Sequence, residues 1–234
     1  MAAIEEAVRY PMQREDWIKT ILIGGVLLFL GFLIVPAVIA YGYIITAIRD
    51  NLEGKAHPPE FDDWGDLAMK GVYGWIIGIV YMIVPIIIGA VTFGGSVLAA
   101  GSGSQAGAMA GIAGMIGGFL ITAVLSLLFG YFVVVAIVNF ARTGKLGDGF
   151  DFETIKRVAF SSEYFTAWLI SVGVFIVAGI IGSVLNVIPF LGFLMGSFVF
   201  FYAQLVAAPI WADGFAAGFG GPSPDRGSLE EPAV

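Results

Sequence analysis

The chain has 234 residues, 59% of them hydrophobic and only 12% charged, with a mean hydropathy of +0.93. A soluble domain carries about a quarter charged residues, so these figures exclude a water-soluble enzyme and a disordered chain and leave a membrane protein. Acids outnumber bases 18 to 11, cysteine is absent and the one histidine is His57, which excludes nucleic acid as a partner, thiol chemistry and a histidine-based metal cluster.

Residues 1–17 read as an N-terminal segment of mixed charge, and the acids Glu5, Glu6, Glu15 and Asp16 argue against a cleaved signal peptide. Residues 20–48 then hold no ionisable acid or base. As one helix this stretch would run about 44 Å, more than one untilted span and less than two. Pro36 at its centre must kink or break it. The segment 18–48 is therefore expected as a kinked helix or as a hairpin of two half-length pieces.

A charged loop follows, with Arg49, Lys55 and Lys70, before residues 71–141, which are again free of acids and bases. About 20 apolar residues cross a bilayer, so this stretch predicts spans at 72–94 and 112–141. Gly94-Gly95-Ser96 and Gly101-Ser102-Gly103-Ser104-Gln105 read as a turn-rich linker between them. A second charged loop carries Arg142, Lys145, Lys156 and Arg157. Residues 164–212 then predict spans at 164–186 and 190–212, turning at Asn186-Val187-Ile188-Pro189, with a polar tail at 217–234. The fold expected over 18–216 is all-α, a polytopic helical bundle of five to six membrane segments in the cell membrane, with lipids as its surroundings. Basic residues mark cytoplasmic flanks. Both charged loops and the C-terminus are expected there, and a hairpin at Pro36 would bring Arg9, Arg14 and Lys19 to the same side.

The two charged loops share a pattern. One reads Arg49, Gly54-Lys55, Phe61-Asp62-Asp63-Trp64; the other reads Arg142, Gly144-Lys145, Phe150-Asp151-Phe152. Asp63 and Asp151 are suited to cap helices, and each loop is expected to carry a short amphipathic helix lying in the interface. Duplication of a unit explains the match, and so does the common need for a snorkelling Arg and an aromatic anchor at a membrane turn.

Gly42-Tyr43, Arg49, Gly54, Pro58-Pro59-Glu60-Phe61-Asp62-Asp63-Trp64, Leu67 and Gly71 resemble a family of prokaryotic, largely archaeal membrane proteins known as domain of unknown function 4013. The resemblance implies a multi-span protein with a Pro-Pro-x-Phe-x-Asp-Trp loop after its first hydrophobic region. It implies no activity and carries over no catalytic residue.

Among single motifs, Pro58-Pro59 reads as a rigid elbow ahead of anchoring aromatics. Glu60, Asp62, Asp63 and Asp66 beside His57 lack calcium-loop spacing, so they read as solvated helix-start acids. Asn139 and Gln204 read as interhelical glue. The candidate interaction loops comprise Arg49, Pro58, Pro59, Phe61, Asp63, Trp64, Arg142, Phe150 and Asp151. The pairs Gly74/Gly78, Gly107/Gly111, Gly114/Gly118 and Gly192/Gly196 have the spacing that lets helices approach closely, within one chain or in a homo-oligomer. No catalytic, cofactor or metal residue is expected. The function expected is a non-enzymatic structural or interaction module whose protein partner stays unnamed, or else an uncoupled facilitator for a small or apolar solute.

Overall fold

The computed structural model describes residues 2–221, and among these the chain is helical, with short 3-10 turns and no strand. It divides into two compact units, Met1–Trp75 with Val135–Val234, and Ile76–Val134. The helices in chain order are α1 (Ala2–Arg9), α2 (Trp17–Phe29), α3 (Val35–Leu52), α4 (Trp64–Ala100), α5 (Gln105–Thr143), α6 (Phe152–Ala159), α7 (Ser162–Leu185) and α8 (Pro189–Phe219). Among the described residues four helices, α4, α5, α7 and α8, are long and apolar enough to cross a membrane. A fifth span results if the bent pair Ile4–Met12 and Trp17–Leu33 is counted as one.

The first hydrophobic stretch breaks ahead of Pro36. A 3-10 turn at Leu30–Leu33 leads to Ile34 at φ 66°, a left-handed conformation that a β-branched residue adopts only at a cost of about 1–3 kcal/mol. Pro36 then sits in the first turn of α3, where its missing N–H deprives the helix of nothing. Helices α2 and α3 fold back on each other. Arg14, ahead of α2, meets Glu60, beyond α3, at 2.8 Å; along one continuous helix they would lie roughly 70 Å apart. The tip between the helices exposes Phe32, Leu33 and Val35.

Helix α8 is the spine of the first unit. Its Phe201 ring fills the space left by Gly24 on α2, and Phe198 does the same at Gly25, where the Ser197 hydroxyl donates to the Gly25 carbonyl at 2.9 Å. Helix α7 returns alongside α8 after the turn at Asn186. The N-terminal segment holds a helix that hydrophobic runs do not reveal. The segment Ile4–Met12 is bent 88° from Trp17–Leu33, and helix α1 buries Ala7 against Ala167, Val206 and Ile210, while the Tyr202 hydroxyl donates to the Val8 carbonyl at 2.7 Å.

The second unit is a hairpin of the later part of α4 and the earlier part of α5, turning at residues 101–104 with Gly103 at φ 73°. Small residues face each other across it. A Cβ on Gly118 would stand 2.7 Å from Thr92 Cβ, and one on Gly111 2.6 Å from Ala100 Cβ. Gly114 faces Ser96 and Gly107 faces Ser102 in the same way. The Thr92 and Ser96 hydroxyls donate within their own helix, to Ile88 and Thr92 carbonyls, so the contact strands neither of these donors.

Several expected boundaries move. Gly94-Gly95-Ser96 lies inside α4, because only residues 101–104 are needed for the turn. The first interfacial helix does not exist as a separate piece: its residues Trp64, Leu67 and Ala68 form the opening turns of α4, since no residue there breaks the helix. Helix α8 continues to Phe219, so the tail begins later than 217; its residues from 222 lie outside the described ones. The spans 164–186 and 190–212 correspond to α7 and α8, and 112–141 to most of α5.

Candidate membrane-interface loops

The first charged loop starts where α3 ends. The Glu53 N–H donates to the Arg49 carbonyl, Gly54 takes φ 81°, and the Lys55 N–H returns to the Asp50 carbonyl at 2.9 Å, the glycine-dependent ending that a left-handed residue permits. Arg49 pairs with Glu53 at 2.8 Å and Lys55 with Asp50 at 2.6 Å. The side-chain hydrogen bond from Arg49 holds Glu53 below the ordinary carboxylate range, and the one to Asp50 raises Lys55.

Pro58-Pro59-Glu60-Phe61 then crosses back over α3. The Tyr43 hydroxyl donates to the Pro59 carbonyl at 2.7 Å, and the Phe61 ring stacks on Tyr43 with centroids 4.0 Å apart and planes at 12°. Trp64 continues the stack at 5.7 Å. Arg14 closes the arrangement from the N-terminal side, donating to the Pro58 carbonyl at 3.4 Å, to Glu60 at 2.8 Å and to Asp16 at 2.8 Å. Its bonds to Asp16 and then Glu60 raise the guanidinium further, and Arg14 in turn lowers Asp16. Asp63 accepts the Asp66 N–H at 3.0 Å and so starts α4.

Immediately beyond, α3 and α4 touch backbone to backbone. A Cβ on Gly42 would overlap the Leu67 carbonyl, and one on Gly71 the Val38 carbonyl. One turn on, Gly74 admits Ile45 and Tyr41. Lys70 pairs with Asp66 at 2.6 Å and donates to the Thr46 hydroxyl at 3.2 Å. Gly42, Tyr43, Pro58, Pro59, Phe61, Leu67 and Gly71 thus form one clasp joining α3 to α4.

The second loop is tied to different partners. Gly144, at φ 72°, ends α5. Asn139, fully buried, donates from Nδ2 to the Asp148 carbonyl at 2.7 Å and accepts both Arg142 bonds at Oδ1, at 2.9 and 3.1 Å. It holds a loop on its own helix end and is not the interhelical bridge expected. The Arg142 guanidinium lies 4.7 Å from the Phe219 ring centroid, and Arg157 approaches the same ring at 5.7 Å, cation–π contacts that seat the loop on the end of α8. Phe150 is half-buried at the end of the 3-10 turn Leu146–Phe150. The Asp151 carboxylate accepts from the Glu153 and Thr154 N–H groups at 3.2 and 3.3 Å, and hydrogen bonding to Thr154 holds it below its ordinary range. Ser161 caps α7 through the Tyr164 N–H.

A cleft of about 150 Å³ opens between the loops, bordered by Arg49, Asp66, Lys70, Tyr73, Phe140 and Gly144. Its charged border is already neutralised by the Arg49–Glu53 and Lys70–Asp66 pairs. Of the glycine pairs, Gly107/Gly111 and Gly114/Gly118 face α4 within the chain. Gly192 packs on the preceding turn, whereas Gly78 and Gly196 meet nothing within 4 Å. Sequence reasoning missed Arg14 and Phe219, whose partners lie 46 and 77 positions away in the chain and leave no local spacing to find.

The family described as "Protein of unknown function (DUF4013)" matches residues 27–187. No curated protein and no solved structure matches the chain.

Proposed function

The chain belongs to the family described as Protein of unknown function (DUF4013), and on that premise we propose that it serves as a non-enzymatic structural or interaction module of the cell membrane. Its charged loops face the cytoplasm in this reading, following the placement of its basic residues. The observation that supports it is the sorting of the glycines. Gly42 and Gly71 are spent on the clasp, and Gly107, Gly111, Gly114 and Gly118 on the hairpin, while Gly179 and Gly182, one turn apart on α7, meet nothing within 4 Å. Such an outward pair lets a second helix approach closely. The hairpin tip at Phe32, Leu33 and Val35 offers apolar side chains, which suit lipid better than a water-lined solute path, so the facilitator reading is not adopted.

Association of the purified chain in detergent tests this. Gly179→Leu with Gly182→Leu should weaken self- or partner association and leave the chain folded, whereas Gly118→Leu acts on the hairpin. Undiminished association in the α7 variant would sink the interaction reading.

A further inference from the structure

Four of the 11 bases fall between residues 142 and 157, and their surroundings differ from those in the first loop. There, Arg49, Lys55 and Lys70 each contact a carboxylate at 2.6–2.8 Å. In the second loop, among the described residues, neither Lys145 nor Lys156 nor Arg142 has a carboxylate within 4.0 Å, and Arg157 reaches Glu153 only at 3.5 Å with both side chains largely in the open. In a chain of net charge −7, Lys145 and Lys156 are thus, like Lys19, bases without an ion pair among the described residues, while Arg142 is held by Asn139 and Phe219.

Helix α6 adds a second, independent observation. Its inner face buries Ile155, Val158 and Ala159. Its outer face carries Phe152 and Lys156 four residues apart, a spacing that aligns side chains along one side of a helix, and Phe160 follows at its C-terminal end, the two rings being 69% and 77% exposed. Glu153, Lys156, Arg157 and Phe160 border one shallow, open recess. Two largely exposed phenylalanine rings are ill-suited to water, and a lysine without a carboxylate to hydrocarbon. A bilayer interface satisfies both, with rings among acyl chains and cations at phosphates. The chain fixes α6 at that height: the charge-free part of α5 ends at residue 141, and Ser161 caps α7 directly after α6, with the next charge-free run starting at residue 164.

We propose that α6 is a docking surface for acidic phospholipid of the bilayer, Lys156 and Arg157 binding the anionic headgroup while Phe152 and Phe160 enter the acyl region. Glu153, on the same recess, pairs with Arg157 and limits how much charge the site offers. The proposal rests on the membrane reading above, and the test separates the two.

The full chain is reconstituted in nanodiscs of phosphatidylcholine alone or with added phosphatidylglycerol, and spin-labelled forms of each lipid report their relative association. The wild type should prefer phosphatidylglycerol roughly fivefold, the weight of one cation at an acidic surface. K156Q/R157Q, and K156Q alone should the double variant fold poorly, should bring that ratio toward one. K55Q in the first loop should retain the preference. Equal incorporation of wild type and variants into phosphatidylcholine discs keeps the membrane reading standing whatever the ratio. No preference in the wild type, or one that survives K156Q, overturns the proposal. So does loss of the preference on adding inorganic phosphate, which would mark a small-anion site, or its dependence on protein concentration, which would mark a second copy on the same face.

Discussion

The two charged loops begin alike, with an Arg on the outgoing helix, a left-handed glycine, a lysine and a capping aspartate, and then diverge. In the first, Gly42 and Gly71 let α3 and α4 touch, Phe61 stacks on Tyr43, and each base meets an acid. In the second, the anchor is the Phe219 ring on α8, and Lys145 and Lys156 stay without a carboxylate among the described residues. The difference continues into the next helix. Residues after Asp63 run unbroken into the 37-residue α4, while those after Asp151 make an eight-residue helix that stops at Phe160, where Ser161 starts α7. One local pattern thus supports a closed joint in one place and an outward face in the other, because what each loop packs against is set elsewhere in the chain.

The comparison is broken most forcefully at Gly42. Gly42→Ala forces a methyl into the Leu67 carbonyl, and its backbone neighbour cannot rotate away, so the loss should reach the upper end of the about 1–3 kcal/mol typical of overpacking. A lowered thermal midpoint in detergent measures it, and an unchanged midpoint would contradict the backbone contact. Tyr43→Phe keeps the stack on Phe61 and removes the hydroxyl's bonds, to the Pro59 carbonyl and with Thr20, for about 1 kcal/mol, read by the same midpoint. The smallest effect concerns the second loop and pH. Hydrogen bonding depresses the Asp151 carboxyl in the folded chain, so its contribution is fully present above the ordinary carboxylate pKa and fades as pH falls through the lower folded value. The protection factors of the Glu153 and Thr154 amides, taken against their intrinsic exchange rates at each pH, should therefore fall in acid, and pH-independent protection there would contradict the cap.

Much of this was legible in the residues. The charge-free runs mark four long apolar helices, because a hydrocarbon environment tolerates few ionised groups. The capping roles of Asp63, Asp151 and Ser161 follow from short polar side chains at helix starts. The Pro-Pro-x-Phe motif was visible as a unit, but its partner was not, since Tyr43 and Arg14 reach it only after α2 and α3 fold back. Helix α1 escaped notice because eight residues of mixed charge carry no hydrophobic run.

The sequence by itself determined the all-α, multi-helix membrane character and the chemistry of the loop ends, for these depend on composition and nearest neighbours, while the expected five to six segments compare with four long apolar helices, or five with the bent pair, among the described residues. Only the tertiary structure decided that the first stretch breaks at Ile34, that Gly118 faces Thr92 while Gly179 faces open space, and that one loop neutralises its bases while the other leaves them outward. Each of those outcomes depends on which side chain arrives from a distant part of the chain, and no spacing along one helix encodes that arrival.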